Sequence, residues 1–393
     1  MKLALISLLR DNDNGDGPIG LHSLFDERIL DHQIHLVKSL GAAKILLISA
    51  GMPGPLLQHV DMLKRNGDDI HIVRSGPDIA GYADEEGDLL FLGDGILPSP
   101  DVAEKLTGDQ AEMILVAENS DQFAEFERVD LEHRWLGVAV LKLARLKDMH
   151  DIPDDWDFGS ALLRTAVQAE CYREVITEAQ METGQLFALD NPDTIADYVK
   201  IRLNENSGRP RNFLERFGTW PLAVWTARKL ESVPSSGQYL GGAMILLGFF
   251  ATITAWFEWA IPALLLLIAG QVVLKQLEAM ETLSIGRHRG ADLGRLGLIA
   301  IPLVLLILSA RLSDPDALVP NSVVIAALIL NLIIAKFSLK SVKLDFIRPD
   351  MLLVLLIILT GAIFGQIFSG IYAGLIYAAA FLAISAMSGS AKS

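Results

Sequence analysis

The chain has 393 residues, a formal net charge of -15 and a single cysteine, Cys171. The acidic balance excludes a nucleic-acid surface, which needs clustered Lys and Arg to displace counterions from phosphates. One cysteine excludes an intramolecular disulfide and fits a reducing compartment, and the length calls for more than one domain at roughly 100 to 200 residues each.

The first apolar run, Leu3 to Leu9, follows Lys2 and precedes acids. It reads as a first β-strand, because a secretory signal ends in a small-residue cleavage site. Next comes Arg10 to Pro18, RDNDNGDGP. As an EF-hand it fails: starting at Asn12 gives Asn14, Asp16 and Gly17 the right spacing, but Pro18 follows and Ser23 stands where the closing Glu belongs.

Ser23 is positioned to cap a helix, with Asp26 three residues on. Leu24, Phe25, Ile29, Ile34, Val37 and Leu40 form its apolar stripe and Gly41 its stop. Short β-type runs follow: Lys44 to Ser49, Asp69 to Val73, Asp88 to Leu92 and Met113 to Ala117, with more strand between Phe126 and Leu141. A last helix opens at Asn191-Pro-Asp-Thr194 and runs to about Leu203, with Pro192 in its first turn. Strands alternating with helical patterns predict a parallel sheet covered on both faces, with its ligand outside the carboxyl ends of the strands. Three acid-bearing loops fall there: the opening stretch, Gly93-Asp94-Gly95 and Asp190 to Asp193. An Asp between glycines at a strand end can present a carboxylate to a divalent metal, and it is equally an ordinary turn.

From Tyr239 onward, long apolar stretches are broken only by brief connectors. Six segments predict transmembrane helices: about Tyr239 to Trp256, Trp259 to Leu274, Leu296 to Ala310, Ser322 to Phe337, Met351 to Phe368 and Ile371 to Met387. Trp256 and Trp259 mark the first hairpin as interfacial. Arg228, Lys229, Lys275, Arg287, Arg289, Arg295, Lys336, Lys340, Lys343, Arg348 and Lys392 lie toward one side, and Arg311 alone lies toward the other. The spans predict a multi-pass protein of the cytoplasmic or inner membrane, and positive charge places its N-terminal domain and C-terminus in the cytoplasm. No Asp, Glu, Lys or Arg falls in mid-span, which argues against a proton-coupled transporter or channel. Gln271, Asn331 and Gln366 suit hydrogen bonds between helices.

His32 and His35 share a helix face without a third ligand nearby, which fits surface or packing histidines better than zinc. Asp130, Glu132, His133 and Arg134 read as a solvated strand connection, with the substrate side of a cleft as the alternative. Arg209, Arg211 and Arg216, with Phe213, Phe217, Trp220 and Trp225, read as an interfacial segment whose cations meet anionic headgroups. A grip on a nucleotide or lipid phosphate is the alternative. No Ser/His/Asp triad, Walker A loop or C-x-x-C pair can be assembled.

The order of an apolar strand, a polar loop, FDERILDHQIHLVKSLGAAKILLI, LLFLGDG, WLGVAVL and LDNPDTIADYVKIRL resembles the nucleotidyltransferase domains of the sugar-phosphate and molybdenum-cofactor type. The six spans behind the juxtamembrane stretch from Ser207 to Arg216 resemble the CDP-alcohol phosphatidyltransferase half of fused proteins. The resemblance implies an α/β, Rossmann-like nucleotidyltransferase domain (1–206), an interfacial segment (207–238) and an all-α six-helix transmembrane domain (239–393). It implies nucleotide contacts at Arg10, Asn14, Gly15 and Gly17, with Mg²⁺ on Asp94 and on Asp190 or Asp193. The implied partners are a nucleoside triphosphate, a phosphorylated polyol or sugar, membrane lipids and, as a homodimer, a second copy of the chain.

Both halves depart from their families. The loop holds Asp11, Asp13 and Asp16, and no Lys occurs between Lys2 and Lys38. In the membrane half, Glu278, Glu281 and Asp292 are the candidate acids, but the second aspartate pair and the Ala-Arg of the transferase signature are missing, so CDP-alcohol transfer is not expected. Two functions follow: nucleotidyl transfer serving phospholipid or glycolipid synthesis, or a non-catalytic descendant that binds a nucleotide or a partner protein at the membrane.

Overall fold

The computed structural model describes residues 3–11, 17–24, 27–82, 86–107, 112–149, 157–205, 212–230, 233, 236–281, 289–337 and 345–390. The chain divides into two compact units, Met1–Arg202 and Leu203–Ser393.

Unit 1 begins with β1 (Leu3–Ser7), then a small hairpin of β2 (Ser23–Leu24) and β3 (Glu27–Arg28), and α1 (Ile29–Ser39). There follow β4 (Lys44–Ile48), α2 (Gly54–Arg65), β5 (Ile70–Val73), α3 (Gly76–Ala80), β6 (Asp88–Leu92), β7 (Ile96–Pro98), α4 (Pro100–Lys105) and β8 (Met113–Glu118). The last elements are β9 (Glu127–Arg128), β10 (His133–Lys142), α5 (Phe158–Gln168), β11 (Tyr172–Val175), α6 (Glu178–Glu182), β12 (Leu186–Ala188) and α7 (Pro192–Glu205).

The main sheet runs β11-β8-β10-β6-β1-β4-β5, with β9 paired to β10. Strand β1 lies parallel to both neighbours, Leu3 opposite Lys44 on β4 and Leu89 on β6. Its successive side chains enter opposite cores, as a strand period of two requires. Ala4 and Ile6 pack with Leu30, Ile34 and Val37 of α1, whereas Leu3 and Leu5 pack on the face that holds Phe158 and Leu162 of α5.

Two expectations change here. The sheet is mixed rather than parallel, since β10 runs antiparallel to both β6 and β8, with a bulge between Trp135 and Ala139. Ser23 does not cap a helix: it pairs with Arg28 in the hairpin, and α1 starts at Ile29, where Asp31 Oδ2 accepts the Arg28 N–H at 2.8 Å. Its stop falls as expected, with Gly41 at φ +85° just beyond.

Unit 2 is helical: α8 (Trp220–Leu230), α9 (Ser236–Trp256), α10 (Ala260–Glu281), α11 (Arg289–Gly297), α12 (Ala300–Leu312), α13 (Leu318–Phe337), α14 (Met351–Ile363) and α15 (Ile367–Ser390). Among the described residues, five helices are long and apolar enough to cross a membrane: Ser236–Trp256, Ala260–Glu281, Asp292–Leu312, Leu318–Ala335 and Ile367–Ala386. The fifth expected span, Met351 to Phe368, is not one helix. Helix α14 stops after 13 residues, about 20 Å of rise against a hydrocarbon core of about 30 Å. Gly365, at φ +69°, donates to Ala362 O at 3.0 Å and Gln366 N donates to Gly361 O at 2.8 Å. This Schellman-type end satisfies the last carbonyls, and α15 turns back along α14.

Two loops of unit 1 are locked by Gly95, at φ +67°: a Cβ there would sit 2.8 Å from Leu189 O. Gly95→Ala combines a left-handed backbone with that collision, and should cost about 2 kcal/mol or more, read as a lowered melting temperature of the full chain in detergent.

Candidate functional site

The strand order places a switch point between β1 and β6. From β1 the chain leaves through α1 toward β4 on one side, and from β6 it leaves toward β8 on the other. In an open sheet the crevice forms where such connections part, at the carboxyl ends of the two strands. The described segments there are Leu8 to Asp11, Gly17 and Pro18, and Gly93 to Gly95.

Asp94 joins them. Its Oδ2 accepts the Ser7 hydroxyl at 2.5 Å, and its Oδ1 accepts the N–H of Leu9 at 2.8 Å and of Arg10 at 3.0 Å. The end of β1 thus closes around one carboxylate. Farther along the loop, Ile19 N donates to Arg10 O at 3.0 Å and Asp11 bridges to Pro18, which draws the two stems together. Asn14 and Gly15 lie outside the described residues. Gly17, at φ +117°, starts the returning stem.

The second acid arrives through a small two-stranded sheet. Strand β12 pairs antiparallel with β7, Ala188 opposite Ile96, and Leu189 N donates to Gly95 O at 2.9 Å. Asp190 follows directly, and its Oδ2 meets Arg10 Nη1 at 3.4 Å. Asp190 Oδ1 accepts Asn191 Nδ2 at 2.9 Å and the Thr194 hydroxyl at 3.3 Å. Asn191 Oδ1 in turn accepts the N–H groups of Asp193 and Thr194, capping α7. Asp193 sits exposed on that first turn, and no described contact joins it to Asp94.

The geometry therefore brings Arg10, Asp94 and Asp190 together. Two further residues of the site were not anticipated. Ser7 is a buried polar residue at the end of an otherwise apolar strand. Gln33 lies on the inner face of α1, where Nε2 donates to Gly93 O and Ile96 O, each at 2.9 Å. A glutamine between Leu30 and Ile34 on an apolar stripe was the available signal.

The other candidates have structural partners. His32 is buried, edge-on to Tyr198, with Nε2 3.4 Å from Glu27. His35 is exposed, and no three metal-ligating side chains converge among the described residues. Burial pushes the His32 pKa down to about 4, against the pull of Glu27 and Asp31. Asp130 accepts the N–H groups of Glu132 and His133 and pairs with Arg173. Those backbone bonds lead in holding it down to about 2. Arg134 binds Asn119 Oδ1 and the carbonyls of Ala124 and Phe126, so this corner is a stapled turn. Burial raises the Cys171 thiol to about 11, which leaves little thiolate near neutrality.

In unit 2, Glu278 and Glu281 share a helix yet serve different ion pairs. Glu278 meets Lys275 at 3.2 Å, and Lys275 also meets Glu215 at 2.5 Å and Asp350 at 3.8 Å. Glu281 and Asp292 instead flank Arg295, at 3.0 and 3.1 Å.

No family model matches the chain, and no curated protein matches it. Among solved structures, HddC from Yersinia pseudotuberculosis is similar at 14% identity over 51% of this chain and 98% of that one, with a TM-score of 0.38. A Bacillus anthracis protein described as a glucose-1-phosphate thymidylyltransferase is similar at 8% identity over 46% of this chain and 92% of its own, TM-score 0.36. The inositol-1-phosphate CTP transferase of T. maritima is similar at 14% identity over 45% of this chain and 85% of its own, TM-score 0.35.

Two outcomes follow from this geometry. Asp94→Ala strands three donors at the end of β1 and should lower stability by roughly 2–4 kcal/mol, seen as a lower melting temperature and faster tryptic cleavage after Arg10. Because the folded His32 pKa lies below its unfolded value, its contribution is complete above about pH 6.5 and is lost as pH falls toward 4. Taking the wild type from pH 7 to 5 should cost about 2 kcal/mol through this group, and His32→Gln should flatten that limb of a pH–melting curve.

Proposed function

We infer that the chain is a membrane-anchored nucleotidyltransferase that joins a nucleoside monophosphate unit to a phosphorylated polyol or sugar and releases pyrophosphate. The carrying observation is the meeting of Asp94, Asp190 and Arg10 at the carboxyl ends of β1 and β6. The acceptor's phosphate oxygen attacks the α-phosphorus of the triphosphate, and the bond to the β-phosphate oxygen breaks.

Both substrates are anions, so the site must offset their mutual repulsion. Asp94 Oδ2 accepts one described hydrogen bond and Asp190 Oδ2 only the long contact from Arg10, so each oxygen keeps a lone pair. Each carboxylate has the chemistry that suits Mg²⁺, which takes one or two carboxylates alongside phosphates and water. Bound there, Mg²⁺ would supply charge neutralisation. Arg10 orients a phosphate, Asp94 holds the loop in shape through Leu9 and Arg10, and Gln33 fixes the floor beneath Gly93.

Unit 2 serves as the anchor. Its spans carry large exposed apolar side chains such as Phe249, Leu330 and Ile376, a surface suited to acyl chains. Phe213, Phe217 and Trp225 are exposed ahead of them, with the Arg216 guanidinium 5.7 Å from the Phe217 ring centre, as an interfacial segment requires. The basic connectors favour a cytoplasmic unit 1. The packing of α15 against α14 supports a C-terminus on the side of Asp350, the basic side.

A second reading, a non-catalytic binder, draws on the acids of RDNDNGDGP. Sealed inverted vesicles carrying the protein, given Mg²⁺, each nucleoside triphosphate and a panel of sugar and polyol phosphates, decide between them. Pyrophosphate release is expected there, with at least a hundredfold loss in Asp94→Ala and none from right-side-out vesicles. Silence across the panel together with measurable triphosphate binding establishes the binder instead.

A further inference from the structure

The cation of the site is already engaged. Arg10 is held at both ends, its N–H by Asp94 Oδ1 at 3.0 Å and its guanidinium by Asp190 Oδ2 at 3.4 Å. The two side chains differ in freedom: Arg10 is 56% exposed and Asp190 only 8%. Asp190 is further fixed by Asn191 and Thr194 on its other oxygen. Swinging the pair apart therefore falls to Arg10, while the acid stays in place.

We propose that the Arg10–Asp190 pair is a latch that makes triphosphate binding depend on a divalent cation, an inference that rests on the nucleotidyltransferase reading above. A phosphate that takes Arg10 from Asp190 leaves a nearly buried carboxylate unpaired beside the incoming anion. That arrangement carries two penalties, a lost ion pair and a new repulsion. A divalent cation on Asp190 removes both, since it replaces the guanidinium as the counter-charge and frees Arg10 for the phosphate. Asp11, next along the chain from Arg10, acts in the same direction by disfavouring a metal-free anion. Arg10 and Asp190 are thus positioning residues whose coupling biases the order of loading toward cation first or together with triphosphate, over triphosphate alone.

The test is a double-mutant cycle on binding rather than turnover. The full chain in detergent is titrated calorimetrically with the four nucleoside triphosphates and with inorganic tripolyphosphate, in EDTA and in Mg²⁺. The proteins are the wild type, Asp190→Asn, Arg10→Gln and the double variant. Asp190→Asn keeps an Oδ1 acceptor for Asn191 and Thr194, and melting curves verify that each variant is folded. In EDTA, Asp190→Asn should bind about two- to fivefold more tightly than the wild type, the range expected from freeing an exposed ion pair. That gain should vanish when Arg10 is Gln. In the wild type, Mg²⁺ should tighten binding, and in Asp190→Asn the Mg²⁺ effect should shrink.

A gain in Asp190→Asn that survives in the Arg10→Gln background reports general charge removal and overturns the latch. Wild-type binding that is equally tight in EDTA and Mg²⁺ overturns it as well. A wild type that binds no triphosphate under either condition overturns instead the reading on which the latch rests. Should Asp190→Asn fail to fold, the wild-type dependence on Mg²⁺ and its change in Arg10→Gln still decide the matter.

Discussion

The carboxylate of Asp94 accepts three hydrogen bonds from a stretch of four residues, Ser7 to Arg10, and the site is organised around that fact. An apolar strand that runs out of sheet partners must find acceptors for its next N–H groups. Leu8 still donates to Ile48 of β4, and then Asp94 takes over for Leu9 and Arg10. Because Asp94 follows β6, the neighbour of β1 across the switch point, the same bonds join the two sides of the crevice. The direction in which Arg10 leaves the sheet, and its reach to Asp190, follow from there.

Beneath this loop lies a second layer of support. Gln33 spans two carbonyls of the turn after β6, and Gly93 N donates to Gly137 O at 2.7 Å, where the bulge in β10 brings that strand inward. Gly95 fits against Leu189 with no room for a side chain. The acid is therefore fixed by the sheet, by a helix and by the small β7–β12 pair together. Sites assembled on rigid elements hold their geometry better than sites left to loops alone.

Much of this architecture can be read in the residues. Apolar runs such as KILLI and DLLFL locate β4 and β6 within one residue, and Gly93-Asp94-Gly95 stands out because glycines flank an acid at a strand end. What cannot be read is set by tertiary pairing. The composition of β10 is the same whichever way it runs, so its antiparallel direction has no local signature. Ser23 has the chemistry of a helix cap, but pairing with Arg28 takes it into a hairpin instead. Ser7 and Gln33 look like isolated polar residues in apolar stretches until their partners, 87 and 60 residues away, are known. In the membrane half, continuous apolar composition conceals the break at Gly365, because a glycine amid Ile363, Phe364 and Ile367 changes backbone conformation without changing hydropathy. Glu278 and Glu281 have the spacing of a shared site, but cations on neighbouring elements divide them.

The α14–α15 hairpin has an electrical consequence. From Met351 to Ala391 the sequence contains no Asp, Glu, Lys, Arg or His, so the hairpin carries no formal side-chain charge. A transmembrane voltage does work only on charge moved through it, about 2.3 kcal/mol per elementary charge per 100 mV. The hairpin offers the field nothing to act on beyond its peptide dipoles, which oppose one another in antiparallel helices. Any voltage sensitivity of unit 2 therefore resides in charged groups outside the hairpin, such as Lys275 with its three acids, Arg295 with Glu281 and Asp292, and Glu258 with Arg311, and the hairpin itself is electrically silent.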